Sequence, residues 1–409
     1  MKMDSKLEVP TENVHYDYFA CSAIIALMFI PLTNTGNILR ILIVLFLLFL
    51  KTVKNGLRFR FVKEINEIIA LMIGGTLLSI IFVFLIDGMW SVSLLQHELS
   101  RLGFNILLIL LIPTLKIPFN FIFKTGLAVL IFHLGIQIMQ KTGLFNINEW
   151  IRQVYVDPNV SWSHLELSEY EGSSFRSGSI FLNPNVYMVI PCLVLGLILQ
   201  KNVLKRERQN YVFCLMVLVS LFLTGSRTTV IVFAAIMMYW FSIPSVKIQE
   251  KVTAVLVAIF FLVGLIITGD DSVSSARVFD LVSSIDGSLM DKILNLIIYL
   301  NSANVIYYLF GSMGSLNVTD VQVDSEWGFI IRFYGLVGVI WYYKLIFQNP
   351  NRHDSSLSFF YKIARITILL VAITATVFFC MPIFPYACLL TLADMDIGTL
   401  KDNETIAKI

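Results

Sequence analysis

The sequence is poor in charged residues, which make up 14% of its 409 residues. About a quarter is usual in soluble proteins. Hydrophobic residues make up 57% of the chain and the mean hydropathy is +0.79. This composition excludes an ordinary soluble protein and indicates a membrane protein that crosses the bilayer several times. The net charge of +2 excludes no class of partner, because the placement of the charges matters more than their sum.

Cysteine and known cofactor motifs are also scarce. The sequence has five cysteines, all within apolar runs, which excludes a disulfide framework and indicates buried thiols. The five histidines are scattered, and no glycine-rich phosphate loop with a lysine is present. We therefore expect no cofactor, no metal and no nucleic-acid partner. The first apolar run also lacks the charged n-region and cleavage site of a signal peptide.

Long apolar runs are what the sequence does have. A helix needs roughly 20 apolar residues to cross the hydrocarbon core of a bilayer. About twelve runs are candidates, or eleven if the last is left out because it contains Asp394 and Asp396. They lie near 17–34, 37–51, 66–86, 103–121, 125–140, 186–200, 211–224, 228–243, 252–268, 328–346, 363–382 and 384–398. The predicted fold is an all-α polytopic integral membrane protein with one transmembrane domain over residues 1–409.

Positive charge predicts the orientation of these spans. The link after the second span, KTVKNGLRFRFVK, has five Lys or Arg residues, and the links after the sixth, eighth and tenth spans are also basic. Short basic links stay in the cytoplasm, so both termini are predicted to be cytoplasmic. Two long loops, 141–185 and 269–328, then lie outside. The stretch SLMDKILNLIIYLNSANVIYYLF in the second loop is predicted to form an interfacial helix.

Three arginines lie on the predicted outer side, against the usual charge bias. They are Arg176 in SSFRSGSIFLNPN, Arg227 in TGSRTT and Arg277 in SSARVFD. A guanidinium group binds phosphate oxygens in a bidentate manner, so three of them together suit a diphosphate. For Arg176 and Arg277 the alternative is a surface pair with a nearby acid. Arg227 has no acid near it on its own side, which favours a functional role.

Four motifs carry a resemblance to a known family. FRSGSIFLNPN, LTGSRTTVIVF, YYLFGSMGS and VDSEWGFIIRFYGLVGVIW occur in this order within about residues 170–346. Together they resemble the motifs of bacterial O-antigen polymerases and ligases. The resemblance implies an integral membrane glycosyltransferase with a glycosyltransferase C-like fold. It also implies a multi-pass protein of the bacterial inner membrane whose active site faces the periplasm.

The resemblance also implies the substrate, which is an oligosaccharide or polysaccharide linked to undecaprenyl diphosphate. A polymerase transfers the growing glycan to a sugar hydroxyl of the next lipid-linked unit, with inversion. A ligase transfers it to the lipid A core instead. Many relatives have a histidine where this chain has Asp324-Ser325-Glu326, and its absence favours the polymerase. Membrane lipid and a chain-length regulator protein are the further expected partners.

The resemblance maps the diphosphate-binding residues to Arg176, Arg227 and Arg277. Asp324 or Glu326 is the candidate general base, and the alternative for both is a solvated loop carboxylate. Asn183 is expected to cap the sixth span, since Pro184 suits its first turn. No set of metal ligands is visible, so metal-independent turnover is expected. Four residues beside the arginines are expected to support the site: Ser226, Thr228, Asn183 and Asn185.

A transporter is the second interpretation, in particular a flippase for the same lipid-linked unit. Twelve spans with embedded arginines suit a transporter as well. Two long outer loops favour the polymerase, because a flippase concentrates its cations in a central cavity. The place where lipid-linked units accumulate after loss of the protein distinguishes the two.

Overall fold

A computed structural model describes the following residues: 11–31, 33–55, 63–155, 177–181, 183–205, 207–243, 248–249, 251–252, 287–315, 325–347, 357–377 and 380–397. This part of the chain is mostly helical, with one short two-stranded sheet. The helices are α1 Thr11–Ala26, α2 Asn34–Asn55, α3 Lys63–Asp87, α4 Val92–Leu111, α5 Phe119–Thr142, α6 Ile147–Tyr155, α7 Pro184–Tyr187, α8 Val189–Leu204, α9 Gln209–Leu223, α10 Arg227–Phe241, α11 Gly287–Ser302, α12 Val305–Phe310, α13 Glu326–Phe347, α14 Ser358–Val371 and α15 Phe384–Leu392. The strands are β1 Lys116–Pro118 and β2 Asp394–Asp396, which pair in parallel.

Six helical segments of the described chain are long and apolar enough to cross a membrane. They are Asn34–Lys54, Lys63–Asp87, Val92–Thr114, Phe119–Thr142, Pro184–Leu204 and Glu326–Phe347. Three shorter apolar helices accompany them: His15–Phe29, Gln209–Leu223 and Thr228–Phe241. The prediction of an all-α membrane protein is therefore confirmed at this level. The ninth predicted span, 252–268, lies almost wholly outside the described residues.

The fourth predicted span was placed too late in the sequence. It was predicted at 103–121, whereas α4 begins at Val92 and ends at Leu111. Glu98 and Arg101 lower the hydropathy of the first half of this helix, but Arg101 Nη2 donates to Glu98 Oε2, so the two charges neutralise each other inside the protein. The helix is followed by a short turn of 3₁₀ helix and by β1.

The last two predicted spans are not continuous membrane helices. α14 has 14 residues and α15 has 9. At 1.5 Å per residue, neither reaches across about 30 Å of hydrocarbon. Glu326, the first residue of α13, forms hydrogen bonds with main-chain groups of the irregular chain between them. Its N donates to Ala372 O (2.9 Å), and its Oε2 accepts a hydrogen bond from Val377 N (2.6 Å). Irregular backbone is tolerated at such a place because protein groups bind it.

Contacts between helix ends define two ends of the bundle. Lys51 Nζ lies 2.8 Å from Asp17 Oδ1, and Lys116 N donates to Asp17 Oδ2. Lys344 Nζ lies 2.8 Å from Glu67 Oε2. These pairs join the start of α1, the end of α2, the sheet, the start of α3 and the end of α13, and we call this the basic end. The turn between α9 and α10, residues 224–226, lies at the opposite end, which we call the hairpin end.

The core of the bundle is centred on α8. In the most apolar window of Pro184–Leu204, 89% of the residues are buried, against 28% for Asn34–Lys54. A side chain at Gly196 would place its Cβ 2.9 Å from Ile363 Cγ2, so α8 and α14 approach closely there. Small residues at such contacts are typical of packing between membrane helices. α2 and α3, by contrast, expose many large apolar side chains, as a surface against lipid does.

Candidate functional site

Two of the sequence motifs are joined at the hairpin end. Ser177 N, in the motif that ends in Asn-Pro-Asn, donates to Leu223 O at the end of α9 with an N–O distance of 2.9 Å. Ser226 Oγ donates to Asn185 Oδ1. One contact involves the main chain and the other involves side chains. The segment before α8 and the turn before α10 are therefore held together at two points.

The turn between α9 and α10 is stabilised by its own hydroxyl groups. Gly225 has φ +55°, a left-handed conformation that glycine adopts without strain. Thr224 Oγ1 donates to Leu221 O (2.6 Å) and accepts a hydrogen bond from Ser226 N (3.3 Å). Thr229 Oγ1 lies 3.0 Å from Thr224 Oγ1. These bonds fix the point at which α10 begins, which is Arg227.

The Asn-Pro-Asn sequence forms the beginning of the sixth predicted span. Asn183 has an extended conformation and its Oδ1 accepts a hydrogen bond from Asn185 N (2.9 Å). Asn183 is thus the N-cap of α7, as the order of the three residues predicts. Pro184 occupies the first helical position, where the absence of an N–H costs nothing. Asn185 then presents its side-chain oxygen to Ser226.

A polar stripe on α5 lies beneath these segments. His133, Gln137 and Gln140 occupy positions i, i+4 and i+7, so they share one face of the helix. His133 Nδ1 lies 2.9 Å from Ser179 Oγ, and Gln140 Nε2 donates to Ser179 O (3.3 Å). Ser179 has φ +53°, a strained conformation for a residue other than glycine. The two α5 side chains hold this turn in place.

Ser177 is bound by the same stripe. Its Oγ donates to Gln140 Oε1, and its carbonyl oxygen accepts a hydrogen bond from Gln137 Nε2 (3.4 Å). The stripe was not predicted from the sequence, because His133 and Gln137 each stand between apolar residues. Three polar residues at helical spacing within one predicted span were the signal that could have found it. Ser177 and Gln137 have no exposed surface.

Five of the predicted site residues lie at this junction and three lie outside the described residues. Ser226 and Thr228 are buried, Asn183 and Asn185 are half-buried, and all four lie at the junction of the two motifs. Arg227 is the first residue of α10, so its main chain lies at the same junction. Arg176, Arg277 and Asp324 lie outside the described residues. The meeting of three guanidinium groups therefore stays a prediction.

Glu326 is fully buried and has a defined structural contact. It is the first residue of α13, and Ser325 Oγ accepts a hydrogen bond from Gly328 N (3.1 Å) at that helix start. One carboxylate oxygen of Glu326 accepts a hydrogen bond from Val377 N at 2.6 Å. The alternative of a solvated loop carboxylate is therefore wrong for Glu326. Its side chain has no exposed surface, and it binds the irregular segment after α14.

A second buried charged group lies between α4 and α13. The guanidinium of Arg101 binds Glu98 and lies 4.1 Å from the centroid of the Phe329 ring. Charged residues at such depth are costly unless paired, and these two are paired with each other. Arg101 joins α4 to α13 through Phe329. The pair was not predicted from the sequence, because the predicted span began at residue 103.

Within the described ranges, no group of three or more His, Cys, Asp or Glu side chains is arranged to hold a metal ion. Comparisons of the chain with protein-family models, with curated proteins and with solved structures found no match. The functional conclusion therefore depends on the residues and their contacts.

Proposed function

We propose that this chain is a membrane glycosyltransferase of the polysaccharide polymerase class. It transfers a growing glycan from undecaprenyl diphosphate to a sugar hydroxyl of the next lipid-linked unit. The main support is the junction at the hairpin end, where Ser177 N binds Leu223 O and Ser226 binds Asn185. Arg176 directly precedes Ser177 and Arg227 directly follows Ser226. The junction thus brings together the chain positions next to two of the three proposed diphosphate ligands.

The proposed reaction needs a stabilised leaving group and a proton acceptor. The acceptor hydroxyl oxygen attacks the anomeric carbon, the bond from that carbon to the diphosphate oxygen breaks, and the diphosphate keeps the electron pair. Guanidinium groups of Arg176, Arg227 and Arg277 stabilise the charge that develops on the diphosphate. The hydroxyl proton passes to a carboxylate. Asp324 is the better candidate, since Glu326 is bound to Val377 N.

The distribution of cations supports an outward-facing site in the bacterial inner membrane. Lys51 and Lys116 lie at the basic end, together with Lys344. Links rich in lysine and arginine stay in the cytoplasm. The hairpin end lies opposite and therefore faces the periplasm in this proposal. Lipid-linked repeat units reach a periplasmic site after they have been flipped across the membrane.

Replacement of Arg227 tests the proposal. In Arg227→Ala we expect normal amounts of protein in the membrane, while surface glycans shorten to single repeat units. Loss of one preorganised donor to a transition-state anion lowers kcat by about 10²–10³-fold. Arg152→Ala is the matched control, because Arg152 lies on α6 and its Nη1 pairs with Glu149 Oε2 at 2.9 Å. Normal long chains in Arg227→Ala would overturn the role of Arg227.

Deletion of the gene separates polymerase from ligase. Loss of a polymerase leaves lipid A cores capped by one repeat unit. Loss of a ligase leaves long chains attached to undecaprenyl diphosphate. We expect the first pattern, which electrophoresis of surface and lipid-linked glycans resolves. The second pattern would assign the chain to the ligase class while keeping the same donor.

One structural feature favours a transporter as the second candidate. α13 is interrupted at Gly335, which has φ +60° and ψ −153°, within a helix of membrane-spanning length. Interrupted helices are common at the substrate sites of transporters. If the chain were a flippase, its loss would leave lipid-linked units on the cytoplasmic face of the membrane. The polymerase proposal predicts that they accumulate on the periplasmic face.

A further inference from the structure

The Gln137 side chain uses its whole hydrogen-bonding capacity. A primary amide has two N–H donors and an oxygen that accepts two hydrogen bonds. Gln137 Nε2 donates to Ser220 O (3.1 Å) and to Ser177 O (3.4 Å). Its Oε1 accepts hydrogen bonds from Ser220 Oγ (2.7 Å) and from Tyr187 OH (3.2 Å). Four bonds to three other residues hold a side chain that has no exposed surface.

The three partners belong to the segments that form the proposed diphosphate site. Ser177 follows Arg176 in the sequence. Tyr187 ends α7, two residues after Asn185. Ser220 lies in the last turn of α9, just before the turn that leads to Arg227. The hydroxyl oxygens of Tyr187 and Ser220 lie 2.7 Å apart, so both groups meet at Gln137 Oε1.

We propose that Gln137 is a positioning residue that sets the distance between the segment beginning at Ser177 and the turn at residues 224–226. This inference rests on the proposed function, because it assigns Gln137 to the diphosphate site. Gln137 itself lies on α5, outside every motif that suggested the function. It acts through Ser177, Tyr187 and Ser220 rather than by touching the substrate.

Glutamine suits this role better than an apolar residue of similar size. A leucine at position 137 would fill the space, but Ser177 O and Ser220 O would lose the hydrogen bonds that Gln137 Nε2 donates to them. Buried polar networks that are fully satisfied specify one arrangement of the surrounding elements. An apolar contact has no preferred direction and tolerates small sliding motions. The network therefore fixes the geometry of two segments that must present their arginines to one ligand.

A cross-linking experiment measures the position without measuring activity. Asn185→Cys and Ser226→Cys are introduced together after the five native cysteines are replaced by alanine. The native side chains of these two residues are in contact, so an oxidant should join the introduced thiols quickly. When Gln137→Leu is added to the same chain, we expect the disulfide to form about tenfold more slowly. The segments that carry Asn185 and Ser226 then no longer share a fixed partner. An unchanged rate would overturn the inference.

Glycan transfer measures the consequence for function. We expect Gln137→Leu to lower kcat by about 10²-fold with a smaller change in the KM for the lipid-linked donor, since small misplacement of catalytic groups has effects of this size. Thr125→Val on α5 is the control, because among the described residues Thr125 Oγ1 binds carbonyl oxygens of its own helix alone, those of Phe121 and Ile122. It should keep normal transfer and normal cross-linking.

The outcomes separate the inference from the proposed function. If Gln137→Leu does not reach the membrane, Tyr187→Phe removes one donor to Gln137 and one contact to Ser220, and we expect a slower cross-link and about tenfold lower kcat. If Gln137→Leu slows the cross-link but the wild-type chain transfers no glycan, the positioning role stands and the polymerase is rejected. If Gln137→Leu leaves the cross-link unchanged and the wild-type chain does transfer glycan, the positioning role alone is rejected.

Discussion

At the residue scale, Glu326 is a fully buried carboxylate at the start of α13. Its Oε2 accepts the Val377 amide hydrogen, and its own amide donates to Ala372. Glu326→Gln keeps an acceptor oxygen and should keep most of the glycan transfer. Glu326→Ala leaves the Val377 amide without its partner, which costs about 1–3 kcal/mol of folding stability. Thermal unfolding and transfer assays of both variants measure the difference.

The two Glu326 variants also show which result would contradict a structural role for this residue. If Glu326 were the general base, the glutamine variant would be as stable as the wild type and would transfer no glycan. Asp324→Asn then serves as the comparison. We expect the larger loss of kcat, about 10²–10⁴-fold for a general base, in Asp324→Asn.

Residues in conspicuous motifs were predictable from the sequence, whereas residues that bind them were not. Asn183 was predicted as a cap because its side chain acts on the next residues of the same segment. Gln137 acts across 40 residues on Ser177 and across 83 residues on Ser220. Local patterns do not report such partners, since the fold alone brings them together. The same applies to Arg101, whose contact with Phe329 of α13 was not visible in the sequence.

At the element scale, the interruption of α13 is supported by α12. Gly335 and Gly311 both have left-handed φ values, +60° and +81°. A Cβ at Gly335 would lie 2.6 Å from Gly311 N and from the Leu309 carbonyl carbon. Ser312 N donates to Arg332 O (2.7 Å), and Tyr299 OH donates to the same oxygen (3.2 Å). Groups from α11 and the chain after α12 thus bind a carbonyl next to the interruption.

Substitution of Gly335 tests this interruption. Gly335→Ala should lower the amount of folded protein strongly, because alanine is strained at this φ and its Cβ meets main-chain atoms that cannot move aside. Gly74→Ala in α3 is the control, since nothing lies within 4 Å of its Cβ position. The control should be neutral or more stable by up to about 1 kcal/mol. Equal thermal stability of both variants would contradict this account of the interruption.

Hydropathy predicted the long helices better than the interrupted ones. α3 and α5 are long and mostly apolar, and their predicted spans lie within the helices, starting three residues late in α3 and six residues late in α5. α14 and α15 are just as apolar, but the chain between them is irregular because Glu326 binds it. In α4 the helix is longer than the predicted span, because its first half includes the Glu98–Arg101 pair, which lowers the hydropathy. A hydropathy window measures composition and does not detect either contact.

At the scale of the whole molecule, we expect the two ends of the bundle to be accessible from opposite sides of the membrane. Leu144 follows α5 at the hairpin end and is 50% exposed. The Lys205 side chain follows α8 at the basic end and is 56% exposed. In chains without native cysteines, a membrane-impermeant maleimide should label Leu144→Cys from the periplasm and Lys205→Cys only after the membrane is opened. The reverse pattern would place the hairpin end in the cytoplasm.

The most direct test of the central claim is a transfer assay with purified protein in lipid nanodiscs. Lipid-linked repeat units extracted from the deletion strain are the substrate, and released undecaprenyl diphosphate is counted against glycosidic bonds formed. We predict one released lipid per bond in the wild type and a rate about 10²–10³-fold lower in Arg227→Ala. Glycan chains that grow at the wild-type rate in Arg227→Ala, or bonds formed without release of the lipid, would contradict the account.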